Sequence, residues 1–171
     1  MYKKLFALLL ITTVIIILSC QNHQNPNEAK YKAAYVAVNN IMDSGNSDEL
    51  DAYIAEDAID HQMDPSITTK TGLAGIKEVF KYYHNIFPDL KTTVHSMAVS
   101  GDTLFGYISS TGTTAQPFMG MPVGTEQTMN AVDVVVFKND KMVEHWGFMD
   151  MGDVMKMMQS MMPDSSQMKE M

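Results

Sequence analysis

The residues best suited to chemistry lie in the last predicted hairpin of the chain. Asp133 interrupts a run of valines, where a carboxylate is costly unless it is hydrogen-bonded or has a function. The final strand places every second side chain on one face, which carries Glu144, Trp146, Phe148 and Asp150. His145 takes the opposite face. Because aromatic neighbours keep a carboxylate partly dry and raise its pKa, this pattern predicts a general acid or base at Asp150 that works near neutral pH.

Asp150 also has a structural interpretation. It directly precedes a predicted C-terminal helix, and aspartate is a favourable N-cap. The residues alone leave both roles open. A metal site built from His61, His145, Asp133 and Asp150 is not expected, since their spacing matches no metal-binding signature.

The chain before this hairpin is first helical and then strand-forming. Apolar spacing of three and four residues predicts a helix over 28–42, and Ser47 followed by two acidic residues is a plausible N-cap for a second helix over 47–56. A third helix opens at Thr71 and ends at the turn 87–89. Alternating and β-branched segments predict strands over 58–61, 91–100, 103–114, 126–137 and 142–149. Helices followed by hairpin-connected strands indicate an α+β fold, with a curved antiparallel sheet and helices on one face.

Composition narrows the class of protein. The 171 residues are 46% hydrophobic, which is typical of a globular chain and excludes wholesale disorder. All 12 basic residues are lysines, against 20 acidic residues. A net charge of −8 without arginine argues against a nucleic-acid partner. A single cysteine allows neither an internal disulfide nor a zinc–thiolate cluster.

The first twenty residues are typical of a secretion signal. Two lysines precede the apolar segment 5–18, which is shorter than the roughly 20 residues of a membrane-spanning helix. The segment ends in Ile17-Leu18-Ser19-Cys20, which resembles the bacterial lipobox, whose cysteine is lipidated after cleavage. We therefore expect a signal peptide over 1–19, a lipidated Cys20 with a flexible tether over 20–30, and a lipoprotein held at the bacterial cell envelope by its lipid alone. An uncleaved anchor and an ordinary secretory signal are the alternatives.

Several motifs in the body of the chain resemble one known family. They are Phe87-Pro88-Asp89-Leu90, Gly101-Asp102, Thr111-Gly112-Thr113, Phe118-Met119-Gly120-Met121-Pro122-Val123-Gly124, Asp133, and Lys141-Met142-Val143-Glu144-His145-Trp146 followed by Asp150. In this order and spacing they are similar to the landmarks of the SnoaL-like polyketide cyclases, or ester cyclases, over residues 31–154.

The resemblance implies a fold and an activity. The fold would be the nuclear transport factor two-like cone, in which a bent antiparallel sheet and N-terminal helices enclose an apolar cavity. The activity would be cofactor-independent acid/base chemistry on a small apolar organic molecule. By position, Asp150 would move the proton, with Asp133 and His61 beside it in the cavity. We expect ligand contacts from Trp146, Phe148, Phe118, Tyr107 and Phe87. A homodimer is a further expectation for this fold.

The methionines suggest a separate function. Ten of the 17 methionines fall from Met142 onward, and most of these lie in a predicted helix or tail over 155–171. Thioethers hold Cu(I), but the same spacing is also that of an amphipathic packing surface. Three functions therefore stand side by side: a cofactor-independent cyclase, isomerase or hydrolase, a non-catalytic binder of a small hydrophobic ligand, and a copper-handling protein.

Overall fold

The computed structural model describes residues 25–160, which contain a five-stranded sheet. The strands are β1 (Ile54–Asp60), β2 (Lys91–Ser100), β3 (Thr103–Thr113), β4 (Glu126–Lys138) and β5 (Lys141–Met149). Their spatial order is β1-β5-β4-β3-β2, and the sheet is curved and does not close. The predicted α+β class is confirmed, and β2 to β5 lie within one or two residues of their expected bounds.

Three α-helices accompany the sheet within this part of the chain. They are α1 (Glu28–Ser44), α2 (Gly72–Ile86) and α3 (Met151–Ser160). The end of α1 is set by Gly45, whose φ of 74° allows its N–H to bond back to the Ile41 carbonyl.

The helix predicted over 47–56 is wrong in its second half. A short 3-10 helix, Ser47–Ala52, takes its place, and β1 begins at Ile54 rather than at residue 58. Ile54 and Ala58 are both buried in the core. Burial against the neighbouring strand therefore overrides the local helical preference of this segment.

The sheet is mixed rather than wholly antiparallel as predicted. β2, β3, β4 and β5 pair antiparallel with their neighbours along the chain, whereas β1 pairs with β5 in parallel. Parallel neighbours cannot be joined by a tight hairpin, and here the chain passes through α2 and three strands between them. This crossover brings the end of β1 next to the middle of β5.

Helix α1 packs across the inner face of the sheet. Its Tyr31 stacks on Phe137 of β4, with ring centroids 4.1 Å apart and an interplanar angle of 8°. Tyr35 is equally buried one turn later. Leu50 of the 3-10 helix and Leu104 of β3 complete the centre of this core and are fully buried.

The β4–β5 turn has the predicted position. Asn139 and Asp140 have φ values of 50° and 66°, and two successive positive φ values define a type I′ hairpin turn. Lys138 and Lys141 pair across it.

A β-bulge follows this turn and changes which side chains face the core. Phe137 pairs with Met142, but the next residue on β4, Val136, pairs with Glu144. Val143 is therefore the extra residue on β5. Since a shift of one residue reverses the faces of a strand, the side chains of β5 beyond Val143 point opposite to those of an unbulged hairpin.

The predicted signal peptide over 1–19, Cys20 and the tail beyond residue 160 lie outside the described residues. Between residues 25 and 160, none of the helices is both long and apolar enough to cross a membrane.

Candidate active site

The inner face of the sheet and the helices α1 and α2 enclose a cavity of about 410 Å³. Most of its wall is apolar, including Val38 of α1, Phe80 of α2 and Ile108 of β3. Volume and lining are those of a site for a small organic molecule. Charged side chains reach the cavity where β1, β4 and β5 meet, from Asp60, Asp133, Glu144 and His145.

Asp133 faces the cavity from β4 and is buried. The hydroxyl of Tyr35 donates a hydrogen bond to its Oδ2 at 2.5 Å. Tyr35 reaches this carboxylate across Gly106, the strand partner of Asp133 on β3. A Cβ at position 106 would lie 2.5 Å from the tyrosine ring, so only glycine leaves room for this contact.

His145 lies between two carboxylates. Its Nδ1 is 3.2 Å from Asp60 Oδ1, and its Nε2 is 3.5 Å from Asp133 Oδ1. Asp60 is held next to it because the two residues are partners at the end of the β1–β5 ladder. The backbone N–H of Gln62 also donates to Asp60 Oδ1, at 2.9 Å. We call Asp60, His145 and Asp133 the Asp–His–Asp network.

The network sets the protonation of its members. Burial alone would lower the pKa of His145, but hydrogen bonds and Coulombic attraction from Asp133 and Asp60 raise the pKa to about 9. Burial opposes ionisation of Asp60, yet the hydrogen bond and the attraction from His145 hold the pKa of Asp60 below its usual value. At neutral pH the network therefore contains an imidazolium beside a carboxylate.

The phenol of Tyr35 keeps its proton at physiological pH. Burial and the neighbouring charge of Asp133 raise the pKa of the Tyr35 phenol. The hydroxyl therefore remains a hydrogen-bond donor to Asp133 over the whole physiological range. This bond orients one carboxylate oxygen of Asp133 and leaves the other towards His145.

Chemically, the network offers a proton donor and a proton acceptor side by side. An imidazolium N–H can protonate a carbonyl oxygen, and a carboxylate oxygen can accept a proton from carbon. His145 Nε2 and Asp133 Oδ1 form an ion pair 3.5 Å apart, beyond the usual 2.7–3.2 Å of a hydrogen bond between such groups. A substrate oxygen can therefore replace Asp133 as the acceptor at modest cost.

Comparison with family models gives one match to this chain. The model of the SnoaL-like polyketide cyclases matches residues 32–159. The chain belongs to this family. No protein of curated function matches it in sequence.

Solved structures share the fold of this SnoaL-like chain. TsrD from Streptomyces laurentii superposes with a TM-score of 0.69 at 17% identity, covering 80% of this chain and 99% of TsrD. A candidate polyketide cyclase from Acidithiobacillus ferrooxidans gives 0.65 at 23% identity, covering 82% and 99%. A SnoaL-like polyketide cyclase from Agrobacterium tumefaciens gives 0.60 at 17% identity, covering 73% and 94%. The cone-like α+β architecture implied by the sequence motifs is thereby confirmed.

Asp150 lies outside the cavity of this SnoaL-like chain. Its Oδ1 accepts the backbone N–H groups of Gly152 at 2.8 Å and Asp153 at 3.2 Å, so that it caps α3. The residue is exposed and borders a shallow groove on the outer side of the sheet, together with Tyr107 and Phe148. The N-cap interpretation is the one that the geometry supports, and the expected position inside the cavity is not observed.

His61 and Trp146 also lie away from the cavity lining. Their rings stack with centroids 4.3 Å apart and an interplanar angle of 7°. His61 Nε2 is 2.8 Å from Glu144 Oε1, and the imidazole is exposed. Of the three residues expected to be catalytic, only Asp133 faces the cavity.

The expected ligand-binding aromatics divide between two surfaces. Phe87 and Phe118 line the cavity and meet edge to face, with ring centroids 5.6 Å apart. Phe118 also contacts Tyr83 of α2. Tyr107 and Phe148 face outwards and are 43% and 59% exposed. The cavity thus keeps two of the five aromatic residues expected to touch the ligand.

Sequence reasoning missed three members of the site, Tyr35, Asp60 and His145. Tyr35 looked like one apolar position of a helix, and its role depends on the small residue at Gly106 of a distant strand. Asp60 ends β1, and the parallel pairing that brings it to His145 has no local signal. The alternation in β5 did place His145 opposite Trp146, but the face of Trp146 was expected to line the cavity, and the structure turns the face of His145 inwards instead.

Methionine is abundant in the cavity wall. Six lining residues, from four elements and one loop, are Met42, Met119, Met129, Met142, Met149 and Met157. Flexible thioethers make a wall that adapts to ligand shape. Among residues 25–160, no three or more His, Cys, Asp or Glu side chains are arranged to hold a metal ion. The methionines of the copper hypothesis that follow residue 160 lie outside the described residues.

Proposed function

We propose that this SnoaL-like chain is a cyclase-type enzyme that performs cofactor-independent acid/base chemistry on a small, mainly apolar molecule in the cavity. The Asp–His–Asp network is the reacting centre. One observation carries the proposal: an imidazolium with a carboxylate within 3.5 Å of each ring nitrogen lines a mostly apolar cavity. Structural networks of this kind are costly to bury, and a cavity that exposes one to a ligand is typical of an active site.

The proposed step is enolisation followed by carbon–carbon bond formation. A carboxylate of the network removes a proton from the carbon next to a carbonyl group, while His145 donates its proton to the carbonyl oxygen. The resulting enol carbon then attacks a second carbonyl of the same molecule. The enol O–H then returns its proton to His145, and the carboxylic acid gives the proton that it took from carbon to the new alkoxide, so that the protein ends in its starting state.

Asp60 is better placed than Asp133 to act as the base. Both hydrogen bonds described for Asp60 use Oδ1, from His145 and from the Gln62 N–H. Within the described residues, Oδ2 accepts no hydrogen bond. Asp133 instead has one oxygen engaged by Tyr35 and the other facing His145. Asp133 then orients the imidazole and stabilises its protonated form, as the buried partner of a catalytic histidine does.

Proton exchange tests this proposal without knowledge of the natural substrate. Benzylic ketones such as 2-tetralone exchange their α-protons in D2O on enolisation, which NMR follows directly. We expect the full chain to accelerate this exchange, and Asp60→Asn and His145→Gln to reduce the acceleration about 100-fold or more. Asp150→Asn discriminates between the two candidate centres: loss of exchange in this variant alone would return the acid/base role to Asp150.

A non-catalytic ligand-binding protein is the second candidate. It is favoured by the partners of His145, because both ring nitrogens of its imidazole face protein carboxylates. In that case the network would be structural, and the ketones would bind without any acceleration of exchange. Saturable binding with unchanged exchange in all variants would decide for this candidate.

We also propose that the protein works at the bacterial cell envelope. Support comes from the charged, apolar and lipobox-like segments of residues 1–20. A lipid on Cys20 would attach the chain to the membrane, although its acidic residues are repelled by anionic lipids.

A further inference from the structure

Charge is unevenly distributed around the cavity. The wall carries carboxylates from Asp60, Asp133 and Glu144 and a single imidazolium, from His145. Among the described residues that line it none is a lysine, and the chain contains no arginine. The wall is therefore net negative at neutral pH.

The positive charge of the imidazolium is already balanced by two carboxylates. His145 directs Nδ1 to Asp60 and Nε2 to Asp133, so both of its N–H groups already face carboxylates. An anionic group that entered this end would lose its hydration and meet two like charges. No further cation of the described chain reaches the wall to offset this electrostatic cost.

The remaining polar groups of the wall are uncharged. They include the amides of Asn39, Gln62 and Gln127 and the hydroxyls of Thr92, Ser110, Tyr35 and Tyr83. Gln127 and Asp133 lie six residues apart on the same face of β4, which spans about 20 Å in an extended strand. Amides and hydroxyls recognise carbonyl and hydroxyl groups of a ligand without compensating a charge.

We propose that the cavity selects against anions, so that its ligand carries no carboxylate, phosphate or sulfate group. This inference rests on the proposed function in one respect, that the cavity is the ligand site; it does not depend on catalysis. Taken together with the proposed enolisation, it narrows the substrate class to carbonyl compounds that carry no anionic group.

Two fluorescent probes with one skeleton test the inference on the full chain. N-phenyl-1-naphthylamine is uncharged, and 8-anilinonaphthalene-1-sulfonate is the same molecule with a sulfonate group. Both brighten in apolar surroundings, so that titration gives their dissociation constants. We expect the uncharged probe to bind at least about tenfold more tightly.

A matched pair of variants separates charge from hydrophobicity. Gln127→Lys adds a cation to the wall away from the Asp–His–Asp network, and Gln127→Met changes the same position without charge. The lysine variant should bind the sulfonate probe at least about fivefold more tightly than the methionine variant does. Affinity for the uncharged probe should agree within about twofold between them, because a charge contributes little to it.

A second pair locates the probes. Ala131 faces the cavity and Val132 faces outwards on the same strand, at 41% exposure. Ala131→Phe fills the cavity and should abolish binding of the uncharged probe, whereas Val132→Phe should leave it unchanged. Far-UV circular dichroism and thermal unfolding confirm that both variants fold.

The outcomes distinguish this inference from the proposed function. Equal affinity of the wild-type chain for the two probes, or no gain for the sulfonate in Gln127→Lys, overturns anion selection and leaves the enzyme proposal standing. Selective binding together with unchanged ketone exchange in the network variants supports anion selection and overturns catalysis. If neither probe binds, or if Ala131→Phe binds as wild type does, the cavity is not the ligand site and both proposals fail.

Discussion

His145 on β5 and Asp60 on β1 are partners in a parallel strand ladder, and their side chains meet with 3.2 Å between Nδ1 and Oδ1. The pair joins two segments of the chain that lie 85 residues apart. It is the contact that completes the candidate active site, because β1 supplies no other charged group to the network. Its energetics are therefore open to direct measurement.

The pair makes stability depend on pH in the alkaline range. The pKa of His145 is raised from 6.5 to about 9, so folding favours its protonated form. This stabilisation is complete below pH 6.5 and is lost as the pH rises through 9. Urea unfolding should show a loss of about 2 kcal/mol over this window, less than the full shift implies because the side chain is 33% exposed. A pH-independent free energy of unfolding between 6 and 10 would contradict the assignment, and His145→Gln should remove the dependence.

Removing one carboxylate should lower the pKa of His145. Asp60→Asn deletes a hydrogen bond and a Coulombic attraction that raise this pKa, so a decrease of about one unit or more is expected. NMR titration of the imidazole resonances measures it. An unchanged pKa of His145 in this variant would show that the two side chains do not meet in solution.

The hydroxyl of Tyr35 should contribute to stability. Tyr35→Phe removes the 2.5 Å hydrogen bond to Asp133 and leaves a buried carboxylate oxygen without its donor, which should cost about 2 kcal/mol. Tyr31→Phe is a matched control one helical turn earlier, where the hydroxyl is 3.4 Å from Asp102 in a partly exposed position. Its cost should be within about 0.5 kcal/mol. Equal costs for the two variants in chemical unfolding would contradict a special role for the Tyr35 bond.

Met119 should lower the stability of the fold through its positive φ while its side chain contacts the ligand. It lines the cavity at the tip of the tight turn between Phe118 and Met121, with a φ of 45° that favours glycine. Met119→Gly should therefore stabilise the fold by about 0.5–1 kcal/mol and weaken binding of N-phenyl-1-naphthylamine. Asn139→Gly is the control, because it has a similar φ of 50° in a turn remote from the cavity. Loss of binding in both variants, or in neither, would exclude a ligand contact by Met119.

Cys20 should control attachment to the membrane. If residues 1–19 are a lipoprotein signal, a chain expressed in bacteria should incorporate radiolabelled palmitate and fractionate with membranes. Cys20→Ser should abolish the label and leave the unprocessed chain. Label that persists in this variant, or a wild-type chain that never acquires it, would refute the lipoprotein proposal.

Much of the fold follows from local sequence. Alternation of apolar residues defined β2 to β5, and Asn139-Asp140 defined the turn that joins the last two strands, because pleat and turn geometry depend on neighbouring residues only. The segment 47–60 was the exception. Its helix-start signal is overridden by burial of Ile54 and Ala58 against the sheet, a contact with distant strands that local sequence does not contain.

Asp133 is the member of the candidate site that could be predicted from the sequence. A carboxylate within a run of valines indicates a compensated position, and the structure provides the compensation through Tyr35 and His145. The partners themselves come from α1 and β5. Their identity depends on helix packing across Gly106 and on strand register, which are long-range properties.

The last hairpin separates what the sequence determines from what the tertiary structure decides. The sequence by itself determined the strand, its turn and its alternation, and these separate His145 from Trp146 and Phe148. Only the tertiary structure decided which set faces the cavity. An unbulged turn would pair Asp133 with Trp146, whereas the extra residue Val143 pairs it with Gly147 and turns His145 inwards. A shift of one residue exchanges the two faces of a strand, so the bulge at Val143 directs His145 rather than Trp146 into the cavity. For this reason the candidate centre is the Asp–His–Asp network and not Asp150.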